Sequence, residues 1–399
     1  MKYSLIILLL WACTPANKAS ISVENIEQQF GSEGNQAGEP YLFKDNSGNA
    51  YLSWVEKQDS LSKFQYSMWT DAGWTSPSLI AEGVDWFVNW ADYPQMAAFS
   101  NGSFAAAFLE KNGSGTFAYS IKITISPDGI NWSKPWTLHD DNTQTEHGFV
   151  SMVPWDDNLL VSWLDGRNTA SDQPHDHSHH GHHGQMSLRA AVISPSGVKL
   201  QEWELDNRVC DCCQTSTTMT ANGPVIVFRD RSEDEIRDLG IVRWENGAWS
   251  TTQPVYMDLW KIAACPVNGP RIDALGNDMG IAWYTGRQDR PEVKVAFSAD
   301  GGKSFNSPIK VDLGNTIGRV DFAMTAANEG FVTWMEDGTV YGRKVSASGK
   351  VGDSLKLTET SAKRSSGFPQ LVYANMGALL AWTDDHMPES RIKSKAILK

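Results

Sequence analysis

The stretch ANEGFVTWMED, residues 327–337, couples a tight-turn signal to an apolar run that carries Trp334, with Glu336 two places further on. The same arrangement recurs along the chain. An aromatic sits inside a strand-like apolar run at Trp54, Phe108, Trp163, Phe228, Trp283, Trp334 and Trp382, at intervals of 54, 55, 65, 55, 51 and 48 residues. An acidic residue follows two places later at Glu56, Glu110, Asp165, Asp230, Glu336 and Asp384; the fifth copy has Thr285 there. Each run is preceded by a turn rich in Gly, Asn or Asp, as in NSGN at 46–49 and LGND at 275–278. These residues accept the backbone conformations that a short hairpin needs.

A further strand-like run follows in most copies, at 64–70, 117–125, 187–193, 240–244, 293–298 and 340–345, and a fourth is visible at 135–138 and 199–205. Four antiparallel strands repeated at this period describe the blades of a β-propeller, in which ring closure stacks each sheet on two neighbours. The fold class expected is all-β: a single propeller of seven four-stranded blades. The recurring aromatics are expected to pack between blades. The seventh unit ends after its third strand at Leu398, and residues 21–29 are placed to supply the missing fourth.

Two turns add a family signal. SADGGKSF (298–305) matches the pattern S-x-D-x-G-x-[ST]-[WF], and SPDGINW (126–132) is a shorter version. The chain thereby resembles the sialidase-like, Asp-box propeller superfamily along nearly all of its mature length. The segments CDCCQ (210–214) and CPVNGP (265–270) resemble a group of bacterial proteins labelled exo-alpha-sialidase. The resemblance implies that Asp128 and Asp300 cap turn amides and do no chemistry. It also makes six blades the alternative count, because sialidases proper carry six.

Residues 1–12, MKYSLIILLLWA, place Lys2 before an apolar run too short to span a bilayer. Cys13 follows at once, and Leu10–Cys13 resembles a bacterial lipobox; an ordinary secretory signal cut near Ala16 or Ala19 is the other reading. The expected layout is a lipoprotein signal at 1–12, a tether at 13–24 and the propeller at 25–399. Cys13 would carry the lipid, anchoring a bacterial cell-envelope protein to a membrane that it meets through the anchor alone. The chain has 34 basic and 47 acidic residues, a formal charge of −13, which argues against a nucleic-acid partner. It is expected to act as a monomer.

Cys210, Cys212 and Cys213 precede the first strand of unit 4, and Cys265 precedes the first strand of unit 5. Equivalent linkers of adjacent blades emerge on one face, so all four sulfurs are expected there. The loop 165–184 of unit 3 adds His175, His177, His179, His180, His182 and His183, six of the nine histidines. His147 and His386 belong to the same face. Thiolates favour Cu(I) and Zn(II), and imidazole suits copper, zinc and nickel. A copper or zinc site is one reading; a disulfide from Cys265 to one of the three is the other.

A glycosidase reading asks for carboxylate-gripping arginines. The candidates are Arg229, Arg231 and Arg287, with Asp230 as a carboxylate beside them; Arg167 and Arg319 are further ones. By the resemblance, an early arginine in an [FY]-R-I-P motif is also required. The first unit reads GEPYLFKDNSG (38–48) and has none, and GPRI (269–272) is a poor substitute in the wrong blade. Salt bridges from Arg229, Arg231 and Arg237 to Glu233, Asp234, Glu235 and Asp238 are the structural alternative. Three functions remain: an envelope propeller that binds a soft metal ion, copper before zinc; a carbohydrate-active enzyme, a divergent exo-sialidase or related hydrolase; or an interaction platform in which Trp86, Trp90 and the acidic loops meet a protein or glycan.

Overall fold

Strand, tight turn, strand is the unit from which the chain is built, and the computed structural model describes it over residues 23–170, 184–386 and 388–397. Seven antiparallel sheets follow one another in sequence, each running outward from its first strand. The first strands are Gln36–Lys44, Gln95–Ala98, His147–Trp155, Ser216–Thr220, Arg271–Leu275, Thr316–Ala326 and Gln370–Ala374. All seven line one central cavity, to which they bring Tyr41, Gln95, Ser151, Thr217, Arg271, Asp321 and Gln370 in turn. The architecture is a seven-bladed β-propeller of four-stranded blades, and the six-blade alternative is excluded. Blades 1 and 4 each carry an extra short outer strand.

Blade 7 takes its outermost strand from the other end of the chain. Val23–Phe30 pairs antiparallel with Arg391–Ile397, with Gln28 opposite Ser394 and Phe30 opposite Ile392. Val23 and Glu24, read from the sequence as the end of a tether, belong to this closing strand. The expected lipidation site, Cys13, lies outside the described residues.

Ring closure buries the repeated aromatics. Trp54, Trp163, Phe228 and Trp334 are wholly inaccessible, and Phe108, Trp283 and Trp382 nearly so. Apolar side chains form seven clusters, each centred on one seam between neighbouring blades. In blades 3 and 6 the acid two residues after the aromatic has a physical reason, whereas the Nε1 atoms of Trp54 and Trp382 find no partner there. Residues i and i+2 share a face of a strand, and a buried indole N–H needs an acceptor. Trp163 Nε1 donates to Asp165 at 2.8 Å, and Trp334 Nε1 donates to Glu336 at 2.8 Å. In blade 5, where Thr285 replaces the acid, Trp283 Nε1 donates instead to Asp258, on the linker that leaves blade 4.

Asp128 and Asp300 hold their turns. Asp128 Oδ1 accepts the amides of Ile130 and Asn131, and Asp300 Oδ1 those of Lys303 and Ser304. Both turns lie between third and fourth strands, away from the linkers that carry the cysteines.

Candidate metal centre

The linker into blade 4 is forced inward by its own backbone. Val209 N–H bonds to Met186 O and Cys210 N–H to Arg229 O, which fastens the segment to blades 3 and 4. Val209 is buried in the seam between them. Beyond the cysteines, Gln214 spans three linkers. Its Nε2 donates to Ala91 O at 2.7 Å, and its Oε1 accepts Gly269 N–H at 3.0 Å. Gly269 is required at that joint, since a Cβ there would lie 2.2 Å from Gln214 O. Asn268 completes it by accepting Arg229 through its carbonyl and Arg319 N–H through its side chain. CDCCQ and CPVNGP are thus the two halves of one joint that carries cysteines on either side of the seam between blades 4 and 5.

Cys210, Cys212 and Cys213 each place a sulfur within 4.8 Å of the other two. Cys210 Sγ lies 2.9 Å from Cys213 Sγ and 3.9 Å from Cys212 Sγ. Cys265 comes in from the blade 5 linker near Cys212, outside the group of three mutually close sulfurs. All four are free thiols, so the disulfide alternative is not what the structure holds. Cys210 and Cys213 are buried, Cys212 is half-buried and Cys265 is exposed. Metal–sulfur bonds of about 2.3 Å put sulfurs that share an ion roughly 3.7–4.0 Å apart. The Cys210–Cys212 separation meets that requirement, and the Cys210–Cys213 pair must open slightly.

The surroundings favour a thiolate at one position. Burial opposes ionisation of Cys210, yet hydrogen bonds from Cys212 and Cys213 and the nearby Arg237 charge hold it well below the ordinary thiol value. Arg237 Nη1 donates to Cys210 Sγ at 3.3 Å. Arg237 is in turn held by Glu235 at 2.9 Å, and Arg231 joins Glu235 to Asp211. The proton is retained elsewhere: the hydrogen bond to Cys210 pushes Cys212 up, and burial pushes Cys213 up. The nearby Cys212 thiol draws Cys265 down.

Of the expected histidines, the two described ones stand apart from the thiols. His175, His177, His179, His180, His182 and His183 lie outside the described residues. His386 is exposed and paired with Asp384. His147 is wholly buried in a separate group with His139 and Asp141. The two imidazoles stack with centroids 3.6 Å apart and planes at 1°, and Asp141 Oδ2 faces both. Metals bind in the plane of an imidazole, so two parallel stacked rings are badly set to share one ion. Arg167 already supplies the cation there, with Nε 2.7 Å from Asp165 and Nη2 3.5 Å from Asp141. This group is a buried charge network.

The candidate arginines are mostly committed to the scaffold. Arg229 is 2% exposed and gives its N–H groups to the carbonyls of Asn268, Arg237 and Tyr284. The expected salt bridges of Arg229 are therefore replaced by carbonyl contacts that tie blade 4 to blade 5. Arg319 bonds Ser366 and the carbonyls of Ala362 and Lys363. Arg231 is paired as described, and burial lifts its neighbour Asp230 to about 6. Arg287 is exposed on a 3-10 turn. The platform aromatics are also occupied: Trp86 is buried against Phe108, and Trp90 is stacked on Phe368.

Sequence reasoning missed a group of acids beside the thiols. Tyr119 OH lies 2.7 Å from Glu146 and 3.2 Å from Asp92, whose other oxygen accepts Phe149 N–H. Burial lifts Asp92 to about 7 and Glu146 to about 8. Gly148 makes room for this group, since a Cβ there would fall 1.9 Å from Asp92 Oδ2.

No family model matches the chain, and no curated protein matches it. Solved structures do. The polysaccharide lyase Uly1 aligns with a TM-score of 0.57 at 8% identity, covering 90% of each chain. The alpha-L-arabinofuranosidase Arb93A of Fusarium graminearum aligns at 0.53 and 10% identity, over 95% of this chain and 98% of the other. A Dyadobacter fermentans protein of unknown function aligns at 0.52 and 13% identity, over 94% and 99%. At these identities the likeness is one of fold, and the fold shared is the propeller.

Proposed function

We propose that this chain is a lipid-anchored protein of the bacterial cell envelope whose propeller holds a soft metal ion, copper(I) before zinc(II), among Cys210, Cys212, Cys213 and Cys265. The observation that carries the reading is the meeting of three sulfurs within 4.8 Å, two of them buried, beside a fourth from the next blade. Thiolates of this kind favour soft ions, and ligands held in place before the ion arrives lose little freedom on binding. Arg237 offsets part of the negative charge that several thiolates bring. The test is elemental analysis of anaerobically purified protein, followed by Cu(I) and Zn(II) competition titrations of the reduced chain against its quadruple Cys→Ser variant. Equal binding by the two sinks the reading. A Cys13→Ser variant that stays in the membrane fraction refutes the anchor.

The second reading is a carbohydrate-active enzyme. Its specific support is Glu146, a half-buried carboxyl that keeps its proton to about pH 8, with Asp211 and Cys265 in its field. A proton held at neutral pH is what a general acid needs. Arabinofuranosidase and polysaccharide lyase propellers share the fold and make those substrate classes the ones to assay. Turnover of a glycan panel that is lost in Glu146→Gln would favour this reading over the first.

A further inference from the structure

We propose that Cys265 is the exchange ligand of the thiol site: the ion enters and leaves through it, while Cys210 and Cys213 form the resting ligands. This deepens the metal reading and rests on it.

Three features of the structure bear on exchange. First, the sulfurs form a graded series. Cys265 is exposed, Cys212 is half-buried, and Cys210 and Cys213 are 0% and 1% exposed. A carrier arriving from solvent therefore meets Cys265 first, and Cys212 is intermediate in exposure between it and the buried pair. Second, the two ends of the series are held differently. Cys210 is fastened through its own N–H to Arg229 O and through its sulfur to Arg237. Cys265 stands between two anchors of its linker, Ile262 N–H on Glu235 O and Gly269 N–H on Gln214. Its neighbours Ala263 and Ala264 are exposed, with no bulk to fix it. Third, Cys265 comes from a different blade than the other three, so it can release the ion without disturbing the backbone that carries them.

The step is associative ligand exchange. A Cu–S bond forms to the Cys265 thiolate as a Cu–S bond to the carrier breaks. Cys265 loses its thiol proton to water as its Cu–S bond forms, the departing carrier sulfur leaves with its electron pair and takes up a proton if it is a thiolate, and copper remains Cu(I) throughout. Cys212 then takes the ion, and the buried pair completes the set. The partner this fits is a carrier that offers Cu(I) on exposed thiol or thioether ligands, because nitrogen or oxygen donors hold that ion less well.

The experiment uses the full reduced chain under anaerobic conditions, with the Cu(I)–bicinchoninate complex as donor and bathocuproine disulfonate as acceptor. Equilibrium competition gives affinity, and stopped-flow absorbance gives transfer rates in each direction. Cys265→Ser is expected to keep most of the affinity while both transfer rates fall on the order of tenfold or more. Cys265→Met, which restores a soft donor, is expected to recover part of the rate. Cys213→Ser is expected to lose affinity by about 100-fold. Wild-type transfer rates in Cys265→Ser would overturn the proposal, as would a loss of affinity equal to that of Cys213→Ser, and either would leave the metal site itself standing. A wild-type chain that binds no Cu(I) would overturn both.

Discussion

Arg237 donates a hydrogen bond to the Cys210 sulfur at 3.3 Å from a position almost wholly buried. The guanidinium adds to the hydrogen bonds from Cys212 and Cys213 in favouring the charged form of Cys210, and its charge also lowers Cys265. Arg237→Gln keeps a donor and removes the charge. It is expected to raise the Cys210 pKa, seen as a shift of the 240 nm thiolate absorbance to higher pH. Metal affinity should fall by roughly 10–100-fold, the usual effect of losing a group that supports a ligand. Unchanged absorbance and affinity would show that the arginine only packs there.

Asp92 and Glu146 give a pH dependence of known sign. Both carboxyls are raised by burial, to about 7 and about 8. The folded chain therefore holds protons that the unfolded chain releases in the ordinary carboxylate range. The stability they contribute is fully present below that range and is lost as pH rises through about 7 and 8. The melting temperature should drop by about 3 °C or more between pH 5 and pH 9. Asp92→Asn with Glu146→Gln should flatten that profile, and a double variant with the wild-type slope would contradict the assignment.

Phe30, on the closing strand, packs on Trp54 at 4.9 Å and on Trp74 at 6.1 Å. Phe30→Ala removes an apolar contact that this strand makes with blade 1. A loss of about 3–5 kcal/mol by denaturant titration is expected, as for other large-to-small core changes. A loss under about 1 kcal/mol would mean that the ring stays shut by backbone pairing alone.

Arg229 separates architecture from catalysis. Arg229→Met leaves the carbonyls of Arg237, Asn268 and Tyr284 without their donor. A destabilisation of about 3 kcal/mol is expected from those unmet groups. The wild type is expected to release no fluorescent aglycone from a sialoside. Robust release that disappears in Arg229→Met at temperatures where the variant is folded would return this residue to the active site.

The propeller was legible because its period is written in large residues. Seven aromatics, most with an acid two places on, are a pattern that only a repeated strand produces, and a seventh unit lacking its fourth strand pointed to residues 21–29. The meeting of the cysteines followed from topology, since equivalent linkers of adjacent blades start side by side. Direction was the part that sequence did not carry. His147 shares a face with the thiols but turns into its own blade, toward Asp141 and Asp165. Arg229 sits among acidic residues in sequence and among carbonyls in space, because strand ends expose backbone groups that composition does not reveal. Asp92, Tyr119 and Glu146 come from three separate segments, and no spacing rule joins them.

The indole of Trp283 depends on an acceptor that its own blade lacks. Asp258, which supplies it, also binds Lys294 of blade 5 at 2.6 Å. Here the repeats share a part, and that loosens the constraint on each copy. Once a neighbour provides the bond, the acid two places after the aromatic is free to drift, as Thr285 has done. The loan also creates a debt between positions 27 residues apart: Asp258 and Thr285 should vary together among descendants of this gene, and an Asp restored at 285 should rescue a chain that has lost Asp258. Blades duplicated from one ancestor can in this way become mutually dependent, so that excising or transplanting a single blade would strand a group belonging to the next.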